Sequence, residues 1–352
     1  MEYDYAKRRC ITREGKFFNR GLVQAVLQQV WDPQYMKNGT LDLKLGGRIK
    51  ALVNEPIRAI KTIRKTLLDF FTGIFYDSYT WSNPTKPKLL KMISRTYRYR
   101  LASIGLFLTD NESRIKKLKN LHKGKRAFIL GNGPSLNKCD LSLLKNEITF
   151  GVNGIYLNYE NMGFYPTYYV VEDKLVAEDR ADSINSFQGP DYKFFGNYLK
   201  AYGIEDDQDT LWLNVRFNYN EYSGFPHFSK NILRMVWVGG TVSYLCMQIA
   251  YYMGFDEIYL IGFDHDYKIP DHSQIIENSH ILSRGDDPNH FHPDYFGNGY
   301  RWHDPQVERM GRAYSKALKY FSDDQRKIGN ATIGGKLEIF DRANYYELFP
   351  DK

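Results

Sequence analysis

The 352-residue sequence has few cysteines and no long apolar segment. Its three cysteines, Cys10, Cys139 and Cys246, are an odd number without metal-ligand spacing, which excludes a disulfide framework or a zinc ribbon and predicts a reducing compartment. No stretch reaches the roughly 20 apolar residues of a spanning helix, and the first thirty residues lack a signal-like apolar core. We therefore expect a cytoplasmic protein.

Positive charge is concentrated in the N-terminal third of the chain. The formal net charge is +7, but residues 1–126 hold 27 basic and 10 acidic residues, whereas residues 127–352 hold 21 basic and 31 acidic. Basic tracts suit nucleic acid, anionic lipid or acidic partners. No nucleic-acid-binding motif accompanies this tract, so we expect no nucleic-acid partner.

Residues 1–119 are predicted to form a helical, basic N-terminal extension. Within it, the segment Pro56–Tyr76 has apolar residues at helical spacing with cations between them, which is typical of an amphipathic helix. Three alternatives stay open for this helix: packing on the main domain, peripheral contact with the inner membrane surface, and self-association into a homo-oligomer.

Residues 120–352 predict an α/β domain with a Rossmann-like, mostly parallel sheet and flanking helices, as in a variant of the GT-A architecture. Short apolar runs separated by turns and helices are the pattern of buried parallel strands with crossovers. The predicted strands are Ala127–Leu130, Thr149–Val152, Thr167–Val171 and Glu257–Ile261, and the predicted helices include Thr241–Met253, which ends at Gly254, and Asp304–Tyr320.

A glycine-rich turn, Gly131-Asn132-Gly133-Pro134-Ser135, follows the first of these strands and is expected to pass into a helix. Backbone N–H groups at such a strand-to-helix corner are a recurrent solution for binding phosphate. The turn lacks the third glycine of a dinucleotide fingerprint and the Lys-Ser/Thr of a Walker loop. By itself it fits a structural turn as well as an anion site.

Polar residues also end three other predicted strands, at Asn153, at Asp173 and at Asp264-His265-Asp266. Ligands of open α/β sheets bind outside the carboxyl ends of the strands, so these side chains are candidates for one site. Helix capping is the alternative for each. The Asp264 and Asp266 pair matches a short Asp-x-Asp metal pattern, but we do not favour a divalent metal and expect no cofactor.

The segment Asn289–His303, with sequence NHFHPDYFGNGYRWH, combines three histidines with tyrosine and tryptophan side chains. It has little apolar periodicity, which is typical of a substrate loop. Histidine acts as a general base near neutral pH, so His290, His292 and His303 are candidates to deprotonate an acceptor hydroxyl.

The ordered motifs GKRAFILGNGPSLNKCDLSLLKNEITFGVN, YPTYYVVED, GGTVSYLCMQIAYYMGFDEIYLIGFDHDY and HFHPDYFG resemble the bacterial domain-of-unknown-function-115 group, which includes the Maf flagellin glycosylation proteins. The same skeleton is similar to the sialyltransferases of glycosyltransferase family 42. The resemblance covers about residues 120–345.

The resemblance implies transfer of a sugar, such as a nonulosonic acid from its CMP ester, to a glycan hydroxyl in surface-glycan biosynthesis. It places nucleotide contacts on Asn132 and Asn153. The family's third asparagine falls near Asp173, and its catalytic histidine on His292 or His303. Asp173 or Asp264 would stabilise the positive charge of the transition state. Further candidates for donor binding are Thr241, Asp266, Tyr267 and Tyr295.

Two other functions remain open at this point. A related archaeal branch with the same skeleton transfers diphosphate from ATP to a hydroxymethylpterin. The chain would otherwise be a non-catalytic subunit that binds a nucleotide sugar or a glycan within an assembly complex.

Overall fold

The computed structural model describes residues 2–4, 9–11, 17–18, 98–216, 226–271, 273–276 and 280–350. The chain divides into two compact units, Met1–Tyr76 with Asn218–Phe225, and Asp77–Phe217 with Pro226–Lys352. Among the described residues, no helix is long and apolar enough to cross a membrane.

The described part of the first unit is an antiparallel three-stranded sheet made of β1 (Glu2–Asp4), β2 (Arg9–Ile11) and β3 (Phe17–Phe18). The prediction of a helical extension did not anticipate these strands. Tyrosine, isoleucine and phenylalanine within them favour extended backbone. The predicted helix Pro56–Tyr76 lies outside the described residues.

The second unit contains an eight-stranded sheet in which every pair of neighbours is parallel. This confirms the predicted α/β fold. The strands of the second unit, including two smaller sheets, are β4 (Arg126–Leu130), β5 (Thr149–Val152), β6 (Tyr168–Val171), β7 (Tyr192–Gly196), β8 (Thr210–Leu213), β9 (Val215–Arg216), β10 (Val236–Trp237), β11 (Glu257–Ile261), β12 (Gln274–Ile276), β13 (His280–Leu282), β14 (Arg301–His303), β15 (Lys327–Asn330) and β16 (Asp341–Arg342).

Helices flank this sheet. They are α1 (Asp110–Lys117), α2 (Tyr159–Met162), α3 (Lys174–Ser186), α4 (Val242–Met253) and α5 (Val307–Asp323). As predicted, α4 begins after Thr241, whose hydroxyl caps it, and ends at Gly254 in the left-handed conformation. Every residue of α4 is buried, whereas α5 buries only the stripe Met310, Ala313, Tyr314, Ala317 and Phe321.

The strand order is β16-β15-β11-β4-β5-β6-β7-β8. The chain runs outward from β4 to β8 and then returns to the other side of β4 with β11. The order therefore reverses between β4 and β11, and the carboxyl ends of these strands form the edge where open α/β sheets bind ligands. The glycine-rich turn follows β4 and Gly262 follows β11 at this edge.

Four strands of this sheet match the sequence prediction to within one residue, whereas β7, β8, β15 and β16 were not predicted. Two of them, β7 and β15, lack the continuous apolar sequence that is typical of a buried strand. β7 carries the buried Lys193, whose ammonium pairs with Asp207 at 2.6 Å, and β15 includes Gly329 and Asn330. The glycine-rich turn also continues into a five-residue 3₁₀ helix, Pro134–Lys138, rather than the expected longer helix.

The close backbone contact between the carboxyl ends of β4 and β11 predicts that a single methyl group added at Gly131 lowers the stability of the fold. A Cβ on Gly131 would lie 2.5 Å from the carbonyl oxygen of Gly262, so Gly131→Ala forces the two strand ends apart. We expect it to lower the free energy of unfolding by about 3 kcal/mol, as measured by urea denaturation. Gly311→Ala is the matched control, because Gly311 is helical and its Cβ would have ordinary contacts, and we expect it to raise stability by up to about 1 kcal/mol. Equal stability of Gly131→Ala and the wild type would contradict the contact.

Candidate functional site

Three N–H groups of the glycine-rich turn, those of Gly131, Gly133 and Ser135, are engaged within the protein. Gly131 N–H donates to the carbonyl of Ile261 at 2.7 Å, and Gly133 N–H donates to the carbonyl of Gly262 at 2.9 Å. Ser135 donates through both its N–H, at 3.2 Å, and its hydroxyl, at 2.6 Å, to the carboxylate of Asp264. Pro134 has no N–H group. In this arrangement the carboxylate of Asp264 accepts both hydrogen bonds that Ser135 donates.

The two carboxylates of the Asp-x-Asp pattern have different partners. Asp264 faces Ser135, whereas Asp266 pairs with the ammonium of Lys336 at 2.9 Å. Between them His265 has a positive φ of 52° and its ring lies near Tyr314. Within the described ranges, no three His, Cys, Asp or Glu side chains come together as a metal-ligand set.

Asn132 is buried at the middle of the turn and its amide orientation is fixed. Its Nδ2 donates to the carbonyl of Val152 at 3.0 Å and to the hydroxyl oxygen of Tyr295 at 2.8 Å. Since only the amide nitrogen can donate to the Val152 carbonyl, Oδ1 is the remaining atom. This oxygen is buried and has no hydrogen-bond partner among the described residues.

Asn153, at the carboxyl end of β5, has a second amide oxygen of this kind. Its backbone adopts a positive φ of 46°, a conformation that asparagine tolerates better than most residues, and its Oδ1 is buried and unpartnered within the described part of the chain. The next residue, Gly154, donates its N–H to the Tyr295 hydroxyl at 3.3 Å. The phenol oxygen of Tyr295 is therefore bound both by Asn132 and by the residue that follows Asn153.

A buried acceptor without a donor costs about 1–3 kcal/mol, so native proteins pair nearly all such groups with protein, water or ligand. The oxygens of Asn132 and Asn153 call for N–H or O–H donors. Amino groups and hydroxyls supply such donors, whereas phosphate oxygens do not. The edge of the sheet at β4 and β5 is thus built to accept hydrogen bonds.

The loop Asp287–Tyr300, which we name the closing loop, is bound to this edge. Phe291 N–H donates to the carbonyl of Asn132 at 2.8 Å, and Asn137 donates to the carbonyl of Phe291 at 2.8 Å. Tyr295 is 3% exposed, and its ring fills the space over Gly154, where a Cβ would lie 2.7 Å from the ring. Burial raises the pKa of this phenol, which therefore remains neutral.

Two groups that the sequence did not single out hold Tyr295 in place. The buried guanidinium of Arg180 donates to the carbonyls of Asp294 and Tyr295 and lies 3.9 Å from the ring centre of Tyr300. Asp287 accepts a hydrogen bond from Phe296 N–H and lies 2.6 Å from Nδ1 of His290. The His290 ring stacks on Tyr295 with a centroid distance of 4.0 Å.

The three candidate histidines thus have different surroundings. His290 is largely buried between Asp287 and Tyr295, and the half-buried His292 accepts a hydrogen bond from the N–H of Asp294 at 3.1 Å. His303, on β14, is exposed and its Nε2 lies 3.4 Å from Asp173 Oδ1 at the carboxyl end of β6. Of the three, only His303 meets a carboxylate at a strand end while keeping solvent access.

Glu172 and Asp173 are neighbours whose pKa values are shifted apart. Burial, followed by the charge of Asp173, raises the pKa of Glu172 to about 8, against a smaller opposing effect of Arg309. Burial also acts to raise the pKa of Asp173, but the hydrogen bond and charge of His303 and the N–H groups of Leu175 and Val176 outweigh it and lower that pKa. A neutral and an ionised carboxyl therefore lie side by side at this edge.

The remaining predicted residues are less central. Thr241 accepts a hydrogen bond from Ser243 N–H at 3.3 Å and so caps α4, and Tyr267 is 37% exposed with its ring 6.5 Å from that of His265. Of the residues that sequence reasoning missed, Asp287 had a signal in its Asp-x-x-His spacing to His290. Arg180 had none, because the carbonyls of Asp294 and Tyr295 that it binds lie more than 100 residues away.

Comparison with known proteins finds similarity to a family model and to a solved structure. A model for the family described as 6-hydroxymethylpterin diphosphokinase MptE-like matches residues 107–270. The structure of the MAf glycosyltransferase from Magnetospirillum magneticum AMB-1 is 16% identical, with a TM-score of 0.38, over 73% of this chain and 42% of that chain. The chain therefore spans less than half the length of the Maf protein. No curated protein matches the sequence.

The raised pKa of Glu172 predicts a pH dependence of stability. Because its folded pKa of about 8 exceeds the usual 4.5, the stability it contributes is full below pH 4.5 and is lost as the pH rises to about 8. Glu172→Gln, which mimics the neutral carboxyl, should remove this fall. The test is the difference between wild-type and Glu172→Gln melting temperatures from pH 5 to 9, a range in which Asp173 stays ionised. A difference that is independent of pH would contradict the shift.

Proposed function

We propose that the chain is a glycosyltransferase that takes a sugar from a nucleotide donor, with a CMP-linked nonulosonic acid as donor and a glycan hydroxyl as acceptor. The observation that carries the proposal is the pair of buried, unpartnered amide oxygens of Asn132 and Asn153 beside Tyr295. The resemblance of the sequence motifs also supports this function. The structural similarity to the Maf glycosyltransferase is too low to add to it.

The direction of the available hydrogen bonds indicates which part of the nucleotide sugar binds at this edge. The cytosine amino group and the ribose hydroxyls donate hydrogen bonds, and they complement the acceptor oxygens of Asn132 and Asn153. The turn N–H groups that a phosphate would need are held by Ile261, Gly262 and Asp264. We therefore assign the nucleoside, rather than the phosphate, to the glycine-rich turn.

We assign the general base to His303. Its Nε2 faces Asp173, which holds the ring and stabilises the imidazolium, and leaves Nδ1 to take a proton. In the reaction the acceptor oxygen bonds to the anomeric carbon as the bond from that carbon to the phosphate oxygen breaks. The acceptor proton passes to His303 and CMP leaves with the bonding electron pair. Tyr267 is the candidate contact to the departing phosphate.

A second function is favoured by the family model that matches residues 107–270. In it the chain would transfer diphosphate from ATP to a hydroxymethylpterin. The amino group and ring N–H of a pterin also suit the oxygens of Asn132 and Asn153. Against this function, the N–H groups of Gly131, Gly133 and Ser135 already have acceptors within the protein.

Nucleotide binding distinguishes these functions. At 100 times its dissociation constant a ligand adds about 2.7 kcal/mol of stability, so thermal shift with CMP, UMP, GMP and ATP, with and without Mg²⁺, should reveal the preferred one. We expect CMP to shift the melting temperature by several degrees without Mg²⁺, and UMP much less, because uracil places an acceptor where cytosine has its amino group. A shift only with ATP and Mg²⁺, together with AMP formation in the presence of 6-hydroxymethylpterin, would favour the second function.

Asn153 provides a matched pair of variants. Asn153→Gly removes the amide oxygen without backbone strain at positive φ, and we expect it to weaken CMP binding about 10- to 100-fold. Asn153→Asp keeps an acceptor oxygen and should bind CMP more nearly as the wild type does. Isothermal titration gives both constants, and equal affinity of all three proteins would exclude Asn153 from the site.

The role of His303 is tested by CMP release from CMP-N-acetylneuraminic acid. We expect His303→Asn to lower kcat by about 10²- to 10⁴-fold while CMP affinity is retained, since a general base acts in the chemical step. His292→Asn, which alters a half-buried histidine bound to local backbone, should remain near the wild type. Full turnover by His303→Asn would show that His303 is not the general base. If the wild type binds CMP but shows no turnover, the chain is a binding subunit.

A further inference from the structure

Outside the site, an ordered loop presents apolar side chains to solvent. The helix at 98–103 ends with Gly105 at a φ of 92°, where Gly105 N–H donates to Ala102 and Leu106 N–H donates to Leu101. These two hydrogen bonds form the Schellman motif that terminates helices. Four apolar side chains at and after the end of this helix, which we call the apolar run, are exposed: Ile104 (73%), Leu106 (56%), Phe107 (39%) and Leu108 (62%).

Helix α1 follows this run directly and has one face against the sheet. The side chain of Asn111 brackets the backbone of Trp212 in the edge strand β8, at 3.1 Å and 2.7 Å, and Ile115 is buried beside it. Lysines occupy the other face and the turn after it: Lys116, Lys117 and Lys119 are exposed. We name these three lysines with Ile104, Leu106, Phe107 and Leu108 the α1 surface.

The segment that carries the α1 surface is rich in positive charge. Residues 98–125 contain eight basic and two acidic residues. Glu112 is fully buried and lies 3.1 Å from Arg98, and Asp110 lies 4.0 Å from Arg114, so both carboxylates are matched by arginines. The exposed lysines therefore add positive charge to the same segment as the apolar run.

We infer that the α1 surface binds the surface of an anionic lipid bilayer. The apolar run enters the boundary between headgroups and acyl chains, and the lysines contact the lipid phosphates. A nucleic acid or an acidic polar protein would match the lysines but leave the four apolar side chains in water. The combination of exposed apolar residues and cations selects the bilayer, and it is independent of the nucleotide assigned to the active site.

Cosedimentation of the full chain with vesicles tests this inference. We expect binding to vesicles of phosphatidylglycerol and phosphatidylcholine, little binding to phosphatidylcholine alone, and release by 0.5 M salt, which screens exposed charges. Leu106→Asp with Leu108→Asp should lower the partition coefficient more than about tenfold. Lys116→Glu, Lys117→Glu and Lys119→Glu together should lower it about 100-fold, at about fivefold for each lysine.

Two controls use similar residues elsewhere. Ile275→Asp changes an isoleucine that is 72% exposed on β12, and Lys319→Glu changes an exposed lysine on α5, and both should bind vesicles like the wild type. The inference is overturned if the α1-surface variants bind as tightly as the wild type or if the controls lose equal affinity.

Other occupants of the surface give distinct results. A dimer that the Leu106→Asp, Leu108→Asp variant dissociates in sedimentation velocity would make it a contact between copies. A fall of several degrees in the melting temperature of that variant would show that the run is packed within the chain. Either result contradicts membrane binding at this surface, and neither depends on CMP binding.

Discussion

The backbone contact between Gly131 and Gly262 is the constraint on which the site depends. It joins the carboxyl ends of β4 and β11, where the strand order reverses, and leaves no room for a side chain on either strand end. With the strand ends this close, the carbonyls of Ile261 and Gly262 accept the turn N–H groups, and Asp264 reaches Ser135. The N–H groups of Gly131, Gly133 and Ser135 are thereby paired within the protein.

This internal hydrogen bonding changes what the glycine-rich turn contributes to the candidate site. Its donors are used internally, but Asn132 presents an acceptor, and Asn153 presents another on the neighbouring strand. Tyr295 links the two by taking hydrogen bonds from Asn132 and Gly154, and Arg180 and the Asp287–His290 pair hold the closing loop that carries it. In the proposed function, the nucleoside would supply the hydrogen-bond donors that these two amide oxygens lack among the described residues.

Charge is distributed over the neighbouring strand ends in a way that suits proton transfer. Asp173 is ionised beside His303, whereas Glu172 is held neutral next to it by burial and by the charge of Asp173. The separation of two adjacent carboxyl groups into a charged and a neutral one depends on His303, which comes from a distant strand. The chemistry of this edge is thus set by contacts between elements rather than by any one motif.

By itself, the sequence determined β4, β5, β6, β11 and α4, because buried parallel strands are local apolar runs and helix ends carry local signals at Thr241 and Gly254. It also placed Asn132, Asn153, Asp173 and Tyr295 among the candidates. Only the tertiary structure decided that Asp264 caps the turn, that His303 meets Asp173, and that Arg180 holds Tyr295. The two members of each pair are more than 100 residues apart in the chain. Which group donates and which accepts a hydrogen bond can be assigned only when the positions of both are known.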